Sequence, residues 1–267
     1  MRQLPRSIVI SGASSGLGRA LALQYAGPGS WLGLLGRDQR RLEAVAARCR
    51  ALGVDTSIGA FDLSDTAALD SWMRAFDAAH PIDLLIVNAG AFTGNGAAPA
   101  METSEACIAT LRVNLEGAIR TVQAAVPMLR ARRSGHIAIV GSLAALQPLA
   151  DAPTYSASKA GLMSYGEAMR EWLLPDNVGV SLIYPGHIAT GQTSGHVGSL
   201  PLMLSADDAA ARIKSGLDRR RSFIAFPRRM LWLIRLGRLL PWRARGWFGR
   251  GLRFHVDEDA VEIDRRR

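Results

Sequence analysis

The 267-residue chain is nearly without lysine: Lys159 and Lys214 stand against 30 arginines. Cysteine is as scarce. Cys49 and Cys107 are too few and too isolated for a disulfide scaffold or a thiolate metal site, so both read as free thiols and no metal is expected. No apolar run approaches the ~18–20 residues of a membrane-spanning helix. Residues 1–6 lead straight into a short strand, without the roughly 7–15-residue apolar region of a signal peptide. The expectation is an intracellular, cytoplasmic protein that does not cross a membrane. Acid is missing from one stretch. Residues 219–255 hold 11 arginines and neither Asp nor Glu, whereas residues 1–218 balance 18 basic against 18 acidic side chains. The formal net charge of +9 thus belongs to a C-terminal segment, and nucleic-acid binding by the whole protein is not indicated.

What is present is apolar and periodic. At 48% hydrophobic residues the chain is long enough for one large core. Short apolar runs predict strands at 7–11, 31–35, 54–61, 84–87, 136–140, 178–183 and 222–226. Helix-length segments between them fall at 16–26, 39–52, 64–79, 102–132, 153–173 and 205–218. Strands apolar on both faces suit a parallel sheet buried between helix layers. The alternation predicts an α/β class: a single doubly wound Rossmann-type domain with a parallel sheet of about seven strands and helices on both faces. The expected organisation is a dinucleotide-binding catalytic domain over 1–226 and a basic, Trp/Arg-rich extension over 227–267.

The turn Ser11-Gly12-Ala13-Ser14-Ser15-Gly16-Leu17-Gly18 follows the first strand and opens the first helix. Glycines there let backbone approach a pyrophosphate, and a helix N-terminus offers N–H donors and partial positive charge. Such a turn also packs strand against helix in proteins that bind nothing. The second strand ends Gly36-Arg37-Asp38. A guanidinium at Arg37 can pair with a ribose 2′-phosphate and favours NADP over NAD. The competing reading has Arg37 solvated and Asp38 on the ribose. Asp62, followed by Leu63, ends the third strand near the adenine position, or serves as a turn or capping aspartate. Further on, Tyr155 and Lys159 lie four apart on one helix face. A phenol ionises near pH ~10, and a neighbouring ammonium lowers that value. A Ser142 hydroxyl would hold a substrate oxygen while Tyr155 exchanges its proton. With arginine so dominant, a lysine retained at 159 marks a place where a compact ammonium is needed.

Taken in order, these residues resemble the short-chain dehydrogenase/reductase family, of the Tyr-x-x-x-Lys type, over about residues 7–226. The resemblance rests on Gly12, Gly16 and Gly18, Asn88-Ala89-Gly90, Asn114, Ser142, Tyr155 with Lys159, and Pro185-Gly186. Val87 stands where the pattern often has a second asparagine, and Ser11 where threonine is usual. The resemblance implies an NAD(P)-dependent oxidoreductase interconverting a ketone or aldehyde with an alcohol. It makes Tyr155 the general acid/base, with Lys159 lowering its pKa and binding the nicotinamide ribose, and Ser142 polarising the carbonyl. Asn114 would distort its helix and hold a water for proton relay. Gly12, Ser14, Ser15, Gly16, Leu17, Gly18, Arg37, Asp62, Leu63, Asn88, Ala89 and Gly90 would line the dinucleotide. Pro185, Gly186, Ile188 and Thr190 would grip the nicotinamide end. It also implies a homo-oligomer, a dimer or tetramer through helices 102–132 and 153–173.

The resemblance implies that residues 187–204, rich in Gly, Ser and Thr and then apolar, form a lid over a small-molecule carbonyl or alcohol substrate; its leucines and Met203 suit an apolar substrate face or simply pack the lid down. His187 and His196 in it read as solvated or packing histidines. Segment 228–254 interleaves arginine with Trp232, Trp242 and Trp247. It suits peripheral association with an anionic membrane surface, packing on the core or across a dimer, or a roof over the substrate pocket. Asp257, Glu258, Asp259, Glu262 and Asp264 could mute its charge. Two other functions share the motifs: a dinucleotide-binding redox sensor or scaffold, and a reductase acting on a nucleotide sugar.

Overall fold

The computed structural model describes residues 4–92, 101–190, 196–197, 202–241 and 255–256. Most of the expected lid, most of the tail beyond 241 and the tail's five acids lie outside these residues. Seven parallel strands form one sheet: β1 (Ser7–Ser11), β2 (Trp31–Gly36), β3 (Asp55–Ala60), β4 (Leu84–Val87), β5 (His136–Val140), β6 (Gly179–Pro185) and β7 (Phe223–Phe226). Their order is β7-β6-β5-β4-β1-β2-β3. All neighbouring pairs run parallel. The order reverses between β1 and β4, and the crevice beyond their C-terminal ends is where a doubly wound sheet binds ligands. Every residue of β1 and β4 is buried, as the two-sided apolar pattern predicts.

The helices are α1 (Gly16–Tyr25), α2 (Gln39–Arg50), α3 (Thr66–Ala79), α4 (Ser104–Leu111), α5 (Gly117–Arg132), α6 (Pro153–Leu173), α7 (Ala206–Asp218) and α8 (Arg228–Gly237). They split the core in two. One layer packs Leu21, Leu42 and Ile213 on the sheet, the other Met73, Leu129 and Leu162. Aspartates cap α2 and α3: the Asp38 and Asp65 side chains accept from the Arg41 and Ala68 N–H groups. The helix expected over 102–132 runs without a break from Ser104 to Arg132 but changes its winding partway. Residues Arg112–Glu116 form a π turn between α4 and α5. Within the expected extension, α8 sits on the domain rather than apart from it, burying Leu231 in the second layer.

Candidate active site

At the β1–α1 turn, Gly12 and Gly16 have φ of +68° and +50°, conformations L side chains rarely adopt. A Cβ on Gly12 would lie 2.7 Å from the Ala89 Cα, and one on Gly18 would collide with the Gly12 carbonyl. The turn is therefore pressed against the end of β4. The Ser11 hydroxyl fixes that contact, accepting the N–H groups of Asn88 (3.0 Å) and Ala89 (3.1 Å). Asn88 returns its amide to the Ser11 carbonyl at 3.1 Å. Ser15 is the N-cap of α1 but makes no side-chain capping bond, and the first turn contains no acid. Its N–H groups thus remain suited to an anion. A cradle that would not admit Cβ atoms, ending in such a helix terminus, fits a dinucleotide pyrophosphate. Leu17 packs into the core, so it can offer only backbone.

At the adenosine end, the Ser14 hydroxyl lies 3.5 Å from a Cβ placed on Gly36, beside Arg37. Arg37 is exposed, with its guanidinium 3.9 Å from the Asp62 carboxylate. The Asp38 carboxylate is occupied: it accepts from the Arg41 N–H at 2.9 Å and pairs with the Arg41 guanidinium at 3.2 Å. Asp62 accepts from the Ser64 N–H at 2.9 Å. That bond holds its carboxyl below the usual carboxylate range, with smaller help from the Ser64 side chain, Arg37 and Arg112. Leu63 packs against the start of α5, 3.3 Å from a Cβ placed on Gly117.

Ser142, Tyr155 and Lys159 meet where β5 ends and α6 begins. Ser142, the N-cap of a short 3-10 turn, accepts the Ala144 N–H, and its hydroxyl beside the Tyr155 phenol favours the ionised form of that phenol. Lys159, buried one turn along α6, donates to the Val140 carbonyl at 3.2 Å, with Nζ 5.9 Å from the Tyr155 ring centre. Burial lowers Lys159 to about 8. It raises Tyr155, and only the Ser142 hydroxyl opposes this. The ammonium expected to depress the phenol does not outweigh desolvation in the protein by itself. Asn114, fully buried in the π turn, accepts from the Ala91 N–H (2.7 Å) and donates to the Ala91 carbonyl (2.8 Å) and the Ser158 hydroxyl (3.2 Å). Its amide clamps the chain after β4 to α6. A Cβ on Gly90 would stand 3.3 Å from both Asn114 Oδ1 and Lys159 Nζ, so glycine brings the three groups together.

Pro185 ends β6, and the Gly186 N–H donates to the Phe226 carbonyl at 2.8 Å. Ile188 pairs with Leu204. The Thr190 methyl lies 3.2 Å from a Cβ placed on Gly16, so the segment after β6 reaches back to the glycine turn. Two contacts were not expected from the sequence. Phe92 sets its ring edge-on to Tyr155 at 4.7 Å between centres. Glu102 accepts the Thr154 N–H (3.0 Å) and hydroxyl (2.5 Å), securing the first turn of α6 beside Tyr155. An acid at 102 carries no local signal, because its partner lies 52 residues away. Among the described residues, no group of three or more His, Cys, Asp or Glu could hold a metal, and no helix is long and apolar enough to cross a membrane.

Comparison with known proteins identifies the fold and the family. The family model described as short chain dehydrogenase matches residues 6–197. A 3-dehydrosphinganine reductase of Arabidopsis thaliana is 34% identical over 184 residues, 67% of this chain but only 55% of that protein. A short-chain dehydrogenase from Sphingobium yanoikuyae, solved with NADPH, superposes with a TM-score of 0.75 at 29% identity, covering 84% of this chain and 88% of the other. A short-chain dehydrogenase/reductase from Burkholderia phymatum, solved with NAD, gives 0.77 at 25% identity, covering 87% and 92%. With a doubly wound sheet, a glycine cradle at its switch point and a match over most of its length, the chain belongs to the short-chain dehydrogenase family of NAD(P)-dependent oxidoreductases, which act on CH–OH and C=O groups.

Proposed function

We propose that the chain is a carbonyl reductase that prefers NADPH and converts an apolar ketone or aldehyde to the alcohol, with Tyr155 as proton donor. The observation that carries this reading is the Ser142 hydroxyl set beside the Tyr155 phenol, with Lys159 buried one helical turn away. Burial keeps the phenol protonated at neutral pH, the state a donor needs. A bound nicotinamide dinucleotide supplies the hydride to the carbonyl carbon. Tyr155 gives its proton to the carbonyl oxygen, so hydride and proton together complete the alcohol. Ser142 orients that oxygen, and Lys159 contributes an ammonium that can exchange its proton near neutral pH. Preference for NADPH rests on Arg37 at the tip of β2, exposed and only loosely paired with Asp62 at 3.9 Å, while the next residue, Asp38, is already engaged by Arg41. Gly12, Gly16 and Gly18 would receive the pyrophosphate, and Pro185, Gly186, Ile188 and Thr190 the nicotinamide end. The exposed Ile108 and Leu111 of α4 suit association of copies through that helix.

The test joins nucleotide affinity to turnover. Calorimetry on wild type and Arg37→Ala should show NADPH weakened at least ~10-fold by the substitution and NADH nearly unchanged. Tyr155→Phe should keep NADPH affinity and lose roughly 10²–10⁴-fold in reduction across a panel of apolar ketones. Equal or tighter NADH binding by the wild type would move the ribose contact to Asp38. Full turnover by Tyr155→Phe would remove the phenol from the chemistry.

A further inference from the structure

Helix α8 is apolar on two opposite faces. Met230, Leu231 and Ile234 turn inward onto the second core layer. Outward, Trp232, Leu233 and Leu236 are 55, 68 and 60% exposed, and beyond the helix end Leu239 and Leu240 are 82 and 40% exposed. At ~100° per residue the three outward helical positions share an arc about 100° wide. A helix facing only water carries charged and polar side chains there. Arg229 projects within that arc and Arg228 and Arg235 border it. The Arg235 guanidinium lies 5.7 Å from the Trp232 ring centre and 5.6 Å from that of Phe223.

We propose that this outer face of α8 docks the protein on an anionic lipid bilayer, with the helix lying along the headgroup layer. Trp, Leu and Arg on one exposed face are the composition of such interfacial helices. A second copy of the chain could also cover the apolar residues, and charge decides between the two. Two α8 helices facing across a two-fold axis would set Arg228, Arg229 and Arg235 against their own copies. No Asp or Glu occurs between 219 and 255 to pair with them, whereas anionic headgroups would.

The position of α8 ties this surface to the site. The Met230 sulfur lies 3.4 Å from a Cβ placed on Gly186, at the end of β6. Arg238 Nη1 lies 3.5 Å from the carbonyl oxygen of Leu146, just past the turn that Ser142 caps. Docking through α8 therefore places the rim of the Ser142 side of the site at the lipid surface. That consequence for substrate access rests on the carbonyl-reductase reading; the docking itself does not, and is measured without turnover.

The experiment is co-sedimentation of the full-length protein with vesicles of phosphatidylcholine alone or mixed with phosphatidylglycerol. The wild type should bind the mixed vesicles and not the zwitterionic ones, with binding weakened by added salt. Leu233→Glu/Leu236→Glu and, separately, Trp232→Ala should each lose at least ~10-fold in vesicle affinity, with unchanged thermal unfolding showing that the fold is kept. Three results would overturn the proposal. One is no vesicle binding, including the case where light scattering shows a dimer that Leu233→Glu/Leu236→Glu dissolves. Another is equal binding to both vesicle types. The third is binding that survives all of these substitutions, which places the lipid contact elsewhere in the chain.

Discussion

At the scale of single residues, Lys159 shows how burial and function oppose each other. Its value of about 8 lies below the ordinary lysine value of 10.5. Between those two pH values the unfolded chain binds a proton that the folded chain does not, so stability falls as pH falls from 10.5 to 8 and the cost is complete below 8. The full cost is about 3 kcal/mol, offset by roughly 1 kcal/mol from the bond to the Val140 carbonyl. Lys159→Met should therefore be about 2 kcal/mol more stable than wild type at pH 7, with the gain shrinking toward pH 10.5. Denaturant unfolding at both pH values checks this, and a variant less stable at pH 7 would sink it. The sequence picks out Lys159 because arginine has displaced lysine nearly everywhere else. It does not reveal that desolvation outweighs the ammonium in setting the Tyr155 proton, since desolvation arises only when α6 packs into place.

At the scale of elements, the β1–α1 turn and the π turn differ in how far they could be read. The glycine spacing marks the first as a place of close backbone approach, and the structure supplies the partner, the Ala89 backbone. Gly12→Ala would force a Cβ both into a positive φ and to 2.7 Å from the Ala89 Cα. It should lower stability by roughly 2–4 kcal/mol and weaken dinucleotide binding at least ~10-fold. Gly29 provides the contrast: its φ is +77° but a Cβ there meets nothing within 4 Å. Gly29→Ala should cost about 1 kcal/mol and leave binding intact. Equal losses in the two variants, by thermal unfolding and calorimetry, would refute the argument from contact. The π turn could be anticipated only through the family resemblance, which implies that Asn114 distorts its helix. Residues 102–132 read as one helix, because the bonds from Asn114 to Ala91 and Ser158 connect segments far apart in the chain.

For the whole molecule, acid stability turns on His136 at the start of β5. Its Nε2 lies 2.7 Å from the Ser181 hydroxyl, and its Nδ1 is buried without a partner. Burial first, then the charges of Arg220 and Arg170, lower it to about 4 from an ordinary 6.5. Between pH 6.5 and 4 the unfolded chain is the better proton acceptor, so stability present above 6.5 is lost as pH falls to 4. For a ring that is only part-buried the loss is roughly 2 kcal/mol. His136→Gln should flatten this part of the pH–stability curve, and an unchanged slope would assign the acid sensitivity to other groups.

The sequence by itself determined the class of fold, the positions along the chain of its seven strands and of the helices between them, and the ordered set of glycine, serine, tyrosine and lysine positions that carries the family resemblance. Those features are local, written in short-range periodicity, in turn chemistry and in residues that few side chains can replace. Only the tertiary structure decided which groups meet. It set Glu102 against Thr154 and Phe92 against Tyr155, and seated one face of α8 on the core while leaving the other bare. The physical reason is distance along the chain: burial and long-range pairing are fixed when the layers close on the sheet, and no stretch of sequence contains both partners.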